Sequence, residues 1–139
     1  MPSETERVAP QPTPLTEGYW SAAQRGQLHL QRCGGDCRRF IHLPEPACPT
    51  CGSTRLAHEP VSGHGTVHTF SIVHRTFAPG FAGRTPYPIA WIDLPEQDGL
   101  RVFANVLGCE PEEVHIGQAV EVCFEELPGF GLVPNFRAS

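Results

Sequence analysis

Apolar positions in this chain follow two rhythms, and the second half is the easier to read. From Gly65 onward they fall in short runs with a period near two, broken by turn residues, as expected of strands with one buried face. GTVHTFSIVHR (65–75) predicts a long first strand, and YPIAWIDL (87–94) a second that is almost wholly apolar. After a turn at 95–99, LRVFANVL (100–107) predicts a third. AVEVCFEE (119–126) sets Val120, Val122 and Phe124 on one face and Glu121, Cys123 and Glu125 on the other. Residues 130–136 predict a last short strand, where Pro134 marks an edge or bulge because proline cannot donate to the ladder. Pro111-Glu112-Glu113-Val114 reads as one helical turn between the third and fourth strands. Five strands with that insertion predict an OB-type Greek-key barrel over residues 61–139.

The first half is different. Residues 1–14 are polar and proline-rich, which predicts a flexible tail. Residues 15–27 predict a short helix, with Thr16 as N-cap, Glu17 at the positive end of the dipole and Gly26 as the stop. A helix of about ten residues is not stable alone. Tyr19, Trp20 and Ala23 therefore need a surface, either the chain's own or a partner's.

Residues 28–60 hold four of the six cysteines, as Cys33-x3-Cys37 and Cys48-x2-Cys51. Four thiolates suit tetrahedral zinc, and a short spacer lets one turn supply two of them. Cys48-Pro49-Thr50-Cys51-Gly52 is a strong knuckle pattern, while the first turn is one residue longer and carries two glycines. Arg32, Arg38 and Arg39 lie beside it, where they can offset the anionic site. A closed set of thiolates leaves no vacancy for substrate, so the zinc is expected to be structural. A rubredoxin-type iron centre carrying electrons is the rival that geometry does not separate.

Composition narrows the classes. The chain has 139 residues and a net charge of −5, no lysine, and four arginines against nine acidic residues from Val61 onward. A nucleic-acid-binding OB module needs a basic, aromatic face, so that alternative is disfavoured. No run of 18 apolar residues and no secretory pattern appear, which predicts a cytoplasmic chain without a membrane span. There is no G-x-S-x-G, no P-loop and no G-x-G-x-x-G. His64, His68 and His74 share parity on the first strand, but four strand residues span ~13 Å, too far for one metal. Cys109 reads as a small buried hydrophobe, and Cys123 as partly exposed or at an interface.

One loop is too apolar for its place. Residues 76–88 carry Phe77, Phe81, Tyr87 and three prolines, with Arg75 and Arg84 near the ends. Long ordered loops are often functional. These aromatics are candidate groove residues, and the arginines candidate phosphate or carboxylate contacts.

Taken in order, LQRCGGDCRRFIHLPEPACPTCGS, SGHGTVHTFSIVHR, PYPIAWIDL, VFANVLGCEPEEVHIGQAVEVCFEE and the terminal PNFR closely resemble a zinc-ribbon/OB-fold family long catalogued as a domain of unknown function. The resemblance runs from Leu15 to the C-terminus. The first knuckle departs from the family's usual C-x2-C with a following glycine. The resemblance implies an accessory subunit of acyl-CoA enzymes, with catalysis on the partner. Such partners include thiolases, 3-hydroxy-3-methylglutaryl-CoA synthases, thiolase-like steroid side-chain aldolases and hot-dog-fold enoyl-CoA hydratases. The expected role is a non-catalytic subunit of a thiolase-fold enzyme in β-oxidation-like degradation. In that role Tyr19 and Trp20 face the partner, while Arg75, Phe77, Phe81, Arg84 and Tyr87 lie by acyl-CoA.

Overall fold

The computed structural model describes residues 7–75 and 80–139. One helix, α1 (Glu17–Gln24), leads into β1 (His29–Cys33), β2 (Phe40–Ile41) and β3 (Leu56–Pro60). These three strands form an antiparallel sheet in the order β2-β1-β3. Then come β4 (His64–Val73), β5 (Tyr87–Asp93), β6 (Arg101–Leu107), β7 (Ala119–Leu127) and β8 (Gly131–Ala138). They close into a barrel in the order β4-β5-β6-β8-β7, with β7 returning to β4. That is the connectivity of an OB barrel, and Pro111–Glu113 forms the expected helical turn between β6 and β7.

The β6–β8 seam is parallel and pairs only Val106 with Phe136 and Leu107 with Arg137. Beyond it, Asn135 closes the gap with its side chain, its Oδ1 accepting the Asn105 N–H at 2.9 Å. Pro134 pairs with Phe124 of β7 in this stretch, where β8 has no backbone ladder to β6. A residue without an N–H therefore costs the sheet nothing on that side.

One core serves both halves. Val67, Ile92, Val106, Val120 and Phe136 fill the barrel, and Leu28, Leu30 and Phe40 of the ribbon belong to the same cluster. The predicted parity of β7 holds at Val120, which is buried, and at Val122, which packs on the core.

The helix finds its seat within its own chain. Ala22 and Ala23 are fully buried, and Tyr19 packs on the shared core. The Trp20 ring meets Phe130 edge-on at 5.4 Å. Gly26 ends the helix in a Schellman arrangement, with Gly26 N–H donating to Ala23 and Gln27 N–H to Ala22. Thr16 stands at the N-cap but makes no capping hydrogen bond from its side chain. Its hydroxyl instead accepts the Thr13 N–H at 2.8 Å.

Within the expected tail, Arg7 forms an ion pair with Glu125 of β7 at 3.1 Å, a long-range contact that composition alone does not reveal. Residues 1–6 lie outside the described residues.

Three glutamines make paired contacts of the kind one strand makes with another. Gln97 accepts the Phe40 N–H at 2.8 Å and donates to the Phe40 carbonyl at 3.1 Å, joining barrel to ribbon. Gln24 does the same with Leu132 of β8, at 2.9 and 3.0 Å. Gln31 does so with Glu45, both at 2.8 Å.

Candidate metal centre and interaction face

The ribbon brings two turns face to face. Cys33 ends β1 and Cys37 lies in the turn to β2, while Cys48 and Cys51 lie between β2 and β3. All four Sγ atoms are within 4.8 Å of one another, with Cys33–Cys51 at 3.6 Å and Cys37–Cys48 at 3.4 Å. Zinc–sulfur bonds of about 2.3 Å imply tetrahedral edges of about 3.8 Å, so the donor set fits the ion. The Cys51 N–H aimed at the Cys48 sulfur outweighs burial and, with the Thr50 N–H, holds that thiol below its usual range, while at its neighbour Cys37 the Arg39 N–H is outweighed by burial and the Cys48 thiol, which push it up. Backbone N–H groups aimed at Cys48 Sγ favour its thiolate, the form that binds metal.

The glycines of the longer first turn have a steric explanation. Gly34 N–H donates to the Arg55 carbonyl at 2.6 Å, and Gly35 N–H to Cys33 Sγ at 3.3 Å. A Cβ on Gly35 would come within 2.9 Å of Ser53. The residue after each knuckle takes a left-handed conformation, at φ 78° for Gly52 and φ 55° for Arg38. Arg38 is held there by its side chain, which donates to the Cys33 carbonyl at 3.3 Å and to Glu59 at 3.1 Å. Arg32 donates to the Arg38 carbonyl at 2.7 Å, lies over the Phe40 ring and approaches Glu59 at 3.9 Å. Part of the positive charge near the thiolates is therefore answered by Glu59. With every ligand position filled by cysteine, the zinc is structural.

The helical turn Ala82–Arg84 before β5 is tied down through Glu125. Arg84 donates to Glu125 at 2.7 Å, Arg7 at 3.1 Å and Asn135 Nδ2 at 2.9 Å. Burial pushes the Glu125 carboxyl upward, but the Arg84 hydrogen bond and the charges of Arg7 and Arg84 outweigh it and hold it below the usual range. Phe81 stacks near Tyr87 at 5.1 Å, with the Arg7 and Arg84 guanidiniums over its ring at 5.6 and 5.8 Å. The structure thus gathers Phe81, Arg84 and Tyr87, with Arg84 already ion-paired. Arg75 is exposed just beyond β4, and Phe77 lies outside the described residues.

Cys109, expected to be buried, is only partly buried against the barrel core; burial and then the charge of Glu113 raise its thiol above the usual range. Cys123 is half-buried on β7, and burial raises it too. His68 Nδ1 lies 3.0 Å from Asp93, which also accepts from Arg101 at 2.7 Å.

Two site candidates escaped the sequence reading. Trp91 and Phe103 are cross-strand partners on the outer face of β5 and β6, with rings 5.2 Å apart. They are 43% and 53% exposed, and Leu43 on the ribbon is 72% exposed. Parity held the signal. Ala90 and Ile92 point inward, as do Val102 and Ala104, so the aromatic between each pair must point out. Beside them runs a groove of about 240 Å³ walled by Tyr19, Trp20, His42, Pro44 and His58. None of its lining residues is Asp, Glu, Lys or Arg. Burial, reinforced by the charge of a neighbouring histidine, lowers the pKa of both His42 and His58.

Comparison with known proteins agrees with this geometry. Residues 20–57 match the ChsH2 rubredoxin-like zinc ribbon domain, and residues 58–125 the ChsH2 C-terminal OB-fold domain. A probable enoyl-CoA hydratase alpha subunit of Thermomonospora curvata is 30% identical over 98% of this chain. The match spans 44% of that relative, so this chain corresponds to less than half of it. A DUF35 domain-containing scaffold protein of Methanocaldococcus jannaschii is 40% identical over 72% of this chain and 67% of its own. Among solved structures, a chain of the Ltp2-ChsH2(DUF35) aldolase superposes with a TM-score of 0.84 at 30% identity, covering 94% of this chain and 98% of that one. Among the described residues, no helix is long and apolar enough to cross a membrane. A closed four-cysteine knuckle pair joined to a five-stranded barrel, matched over most of its length by such relatives, places this chain in the DUF35 family of zinc-ribbon/OB-fold proteins.

Proposed function

We propose that this protein is a non-catalytic, zinc-stabilised subunit of a thiolase-like or aldolase enzyme acting on acyl-CoA thioesters. It would support the partner's stability and its acyl-CoA site during β-oxidation-like breakdown of lipid, steroid or aromatic skeletons. The observation that carries the reading is the near full-length likeness to a chain of an aldolase assembly. Its chemistry agrees: among the described residues, the one cluster able to hold a metal is the closed cysteine set, which offers substrate no open position. In this reading Arg75 and Arg84 stand nearest the CoA phosphates, with Phe81 and Tyr87 beside them. A phosphate at Arg84 would compete with Glu125.

A second reading, partnership with an enoyl-CoA hydratase, is favoured by the likeness to the Thermomonospora curvata alpha subunit. Purification of the tagged protein from its native host, with identification of the chains retained, separates the two. Recovery of a thiolase-fold enzyme is expected, and a hydratase in its place would select the second reading. The isolated protein is expected to turn over no acyl-CoA. Turnover by the pure protein that disappears on changing a single His or Cys would refute the accessory role.

A further inference from the structure

Exposed apolar side chains are ordinary when scattered. Here they are contiguous. Trp91 and Phe103 stand side by side on the outer face of β5 and β6, and both line a groove that also includes Leu43 of the ribbon. Helix, ribbon and barrel all contribute to that face. The Gln97–Phe40 pair and the shared core fix these elements relative to one another, so the groove is formed before anything enters it.

The barrel's own interior does not need these rings. Its core is already filled by Ile92, Val102, Val106 and Phe136. Charge narrows the occupant. The groove is lined without a single formal charge, in a chain whose net charge is −5, and the adjacent Asp93 and Arg101 answer each other at 2.7 Å. A nucleic-acid strand needs cations alongside its stacking platform. The cation flanking this platform is already paired. Thr16, Gln31, His42 and His58 add polar atoms to an otherwise apolar lining, so the complementary surface is mainly apolar and carries no formal charge.

Size narrows it further. Leu43, Trp91 and Phe103 together expose on the order of 300 Å², the scale of the largest apolar patch on an ordinary monomer. Stable self-association needs about 800 Å² on each partner, so a second copy seated on this face alone would bind weakly. A larger enzyme that touches more of the chain can use the face as its apolar centre, ringed by polar contacts.

We propose that the Trp91–Phe103 face and its groove seat an apolar, uncharged segment of the acyl-CoA enzyme, an inference that rests on the accessory role proposed above. Tyr19 and Trp20 then contribute the groove wall rather than the leading contacts.

The test uses the full chain in its native host. A photoreactive benzoylphenylalanine replaces Phe103 in one preparation and the exposed Ile116, outside this face, in another. Irradiation is followed by identification of the crosslinked peptides. Position 103 is expected to crosslink to an apolar segment of a co-purifying acyl-CoA enzyme, and position 116 is not. A crosslink from 103 to a second copy overturns the proposal, as does no crosslink, or equal crosslinking from both positions. The paired variant Trp91→Ser with Phe103→Ser should reduce recovery of the enzyme at least tenfold while the melting temperature stays within a few degrees. Undiminished recovery also overturns the proposal. If the enzyme co-purifies but 103 does not crosslink to it, this face is wrong and the accessory role stands. If 103 crosslinks to an unrelated protein's apolar segment and no acyl-CoA enzyme co-purifies, the face is a docking site and the accessory role fails.

Discussion

Arg84 donates to Glu125 across 2.7 Å, and that contact fastens the helical turn Ala82–Arg84 to β7. Arg7 reaches the same carboxylate from the N-terminal side, so two segments far apart in sequence share one anchor. Glu125→Gln should destabilise the fold by about 1 kcal/mol at neutral pH, a modest figure because Arg84 is partly exposed to solvent. The Glu125 carboxyl is held below its ordinary range in the folded state. Its contribution is therefore complete above the unfolded pKa and is lost as pH falls through the folded value. Melting curves should show the wild type above the variant at pH 7 and the two converging only once pH has fallen through the lowered folded-state value, below the ordinary glutamate range. A gap that persists in acid would mean that charge is not the cause.

Metal content gives the next prediction. The protein should carry about one zinc per chain, and Cys51→Ser should unfold the ribbon, since structural zinc is worth on the order of 10 kcal/mol. Metal analysis with circular dichroism checks both. Less than about half an equivalent in protein never exposed to chelator, or a well-ordered metal-free ribbon, would count against it.

His42 supplies a pH test of opposite origin. Burial, and then the charge of His58, lowers its pKa in the folded state. The unfolded chain therefore binds the proton first as pH falls, and stability declines from about pH 7 downward through that window. Urea titrations of the wild type at pH 7.5 and pH 5.5 should show a loss that is reduced in His42→Gln. Equal losses in both proteins would assign the effect to other groups.

Gln97 joins barrel to ribbon by donating and accepting at once. Glutamate has nearly the same shape but, when ionised, no donor, and would set a carboxylate against the Phe40 carbonyl. Gln97→Glu should cost about 2 kcal/mol, measured by denaturant unfolding. A neutral result would show that water replaces the pair.

Much of the fold was legible because the relevant signals are local. Alternation in 119–126 placed Val120 and Val122 inward, and turn residues bounded every barrel strand. The metal site was legible because Cys48-Pro49-Thr50-Cys51-Gly52 encodes its own turn. Long-range contacts were not. Nothing near Arg7 in the sequence indicates Glu125, and nothing near Tyr19 indicates that it packs on the core shared by ribbon and barrel. Trp91 and Phe103 were hidden for another reason. Strands rich in aromatics read as core, and only parity relative to Ala90 and Val102 turns these two rings outward.

The glutamine pairs at Phe40 and Leu132 also decide how this chain can be approached. A strand edge with free N–H and C=O groups invites another strand to add to it, which is how both peptide ligands and aggregates attach. Gln97 occupies those groups on Phe40 of β2, and Gln24 occupies them on Leu132 of β8. Sheet extension at either place would first have to evict an amide that already makes both bonds. A partner meeting this protein there would have to read side chains rather than borrow its backbone.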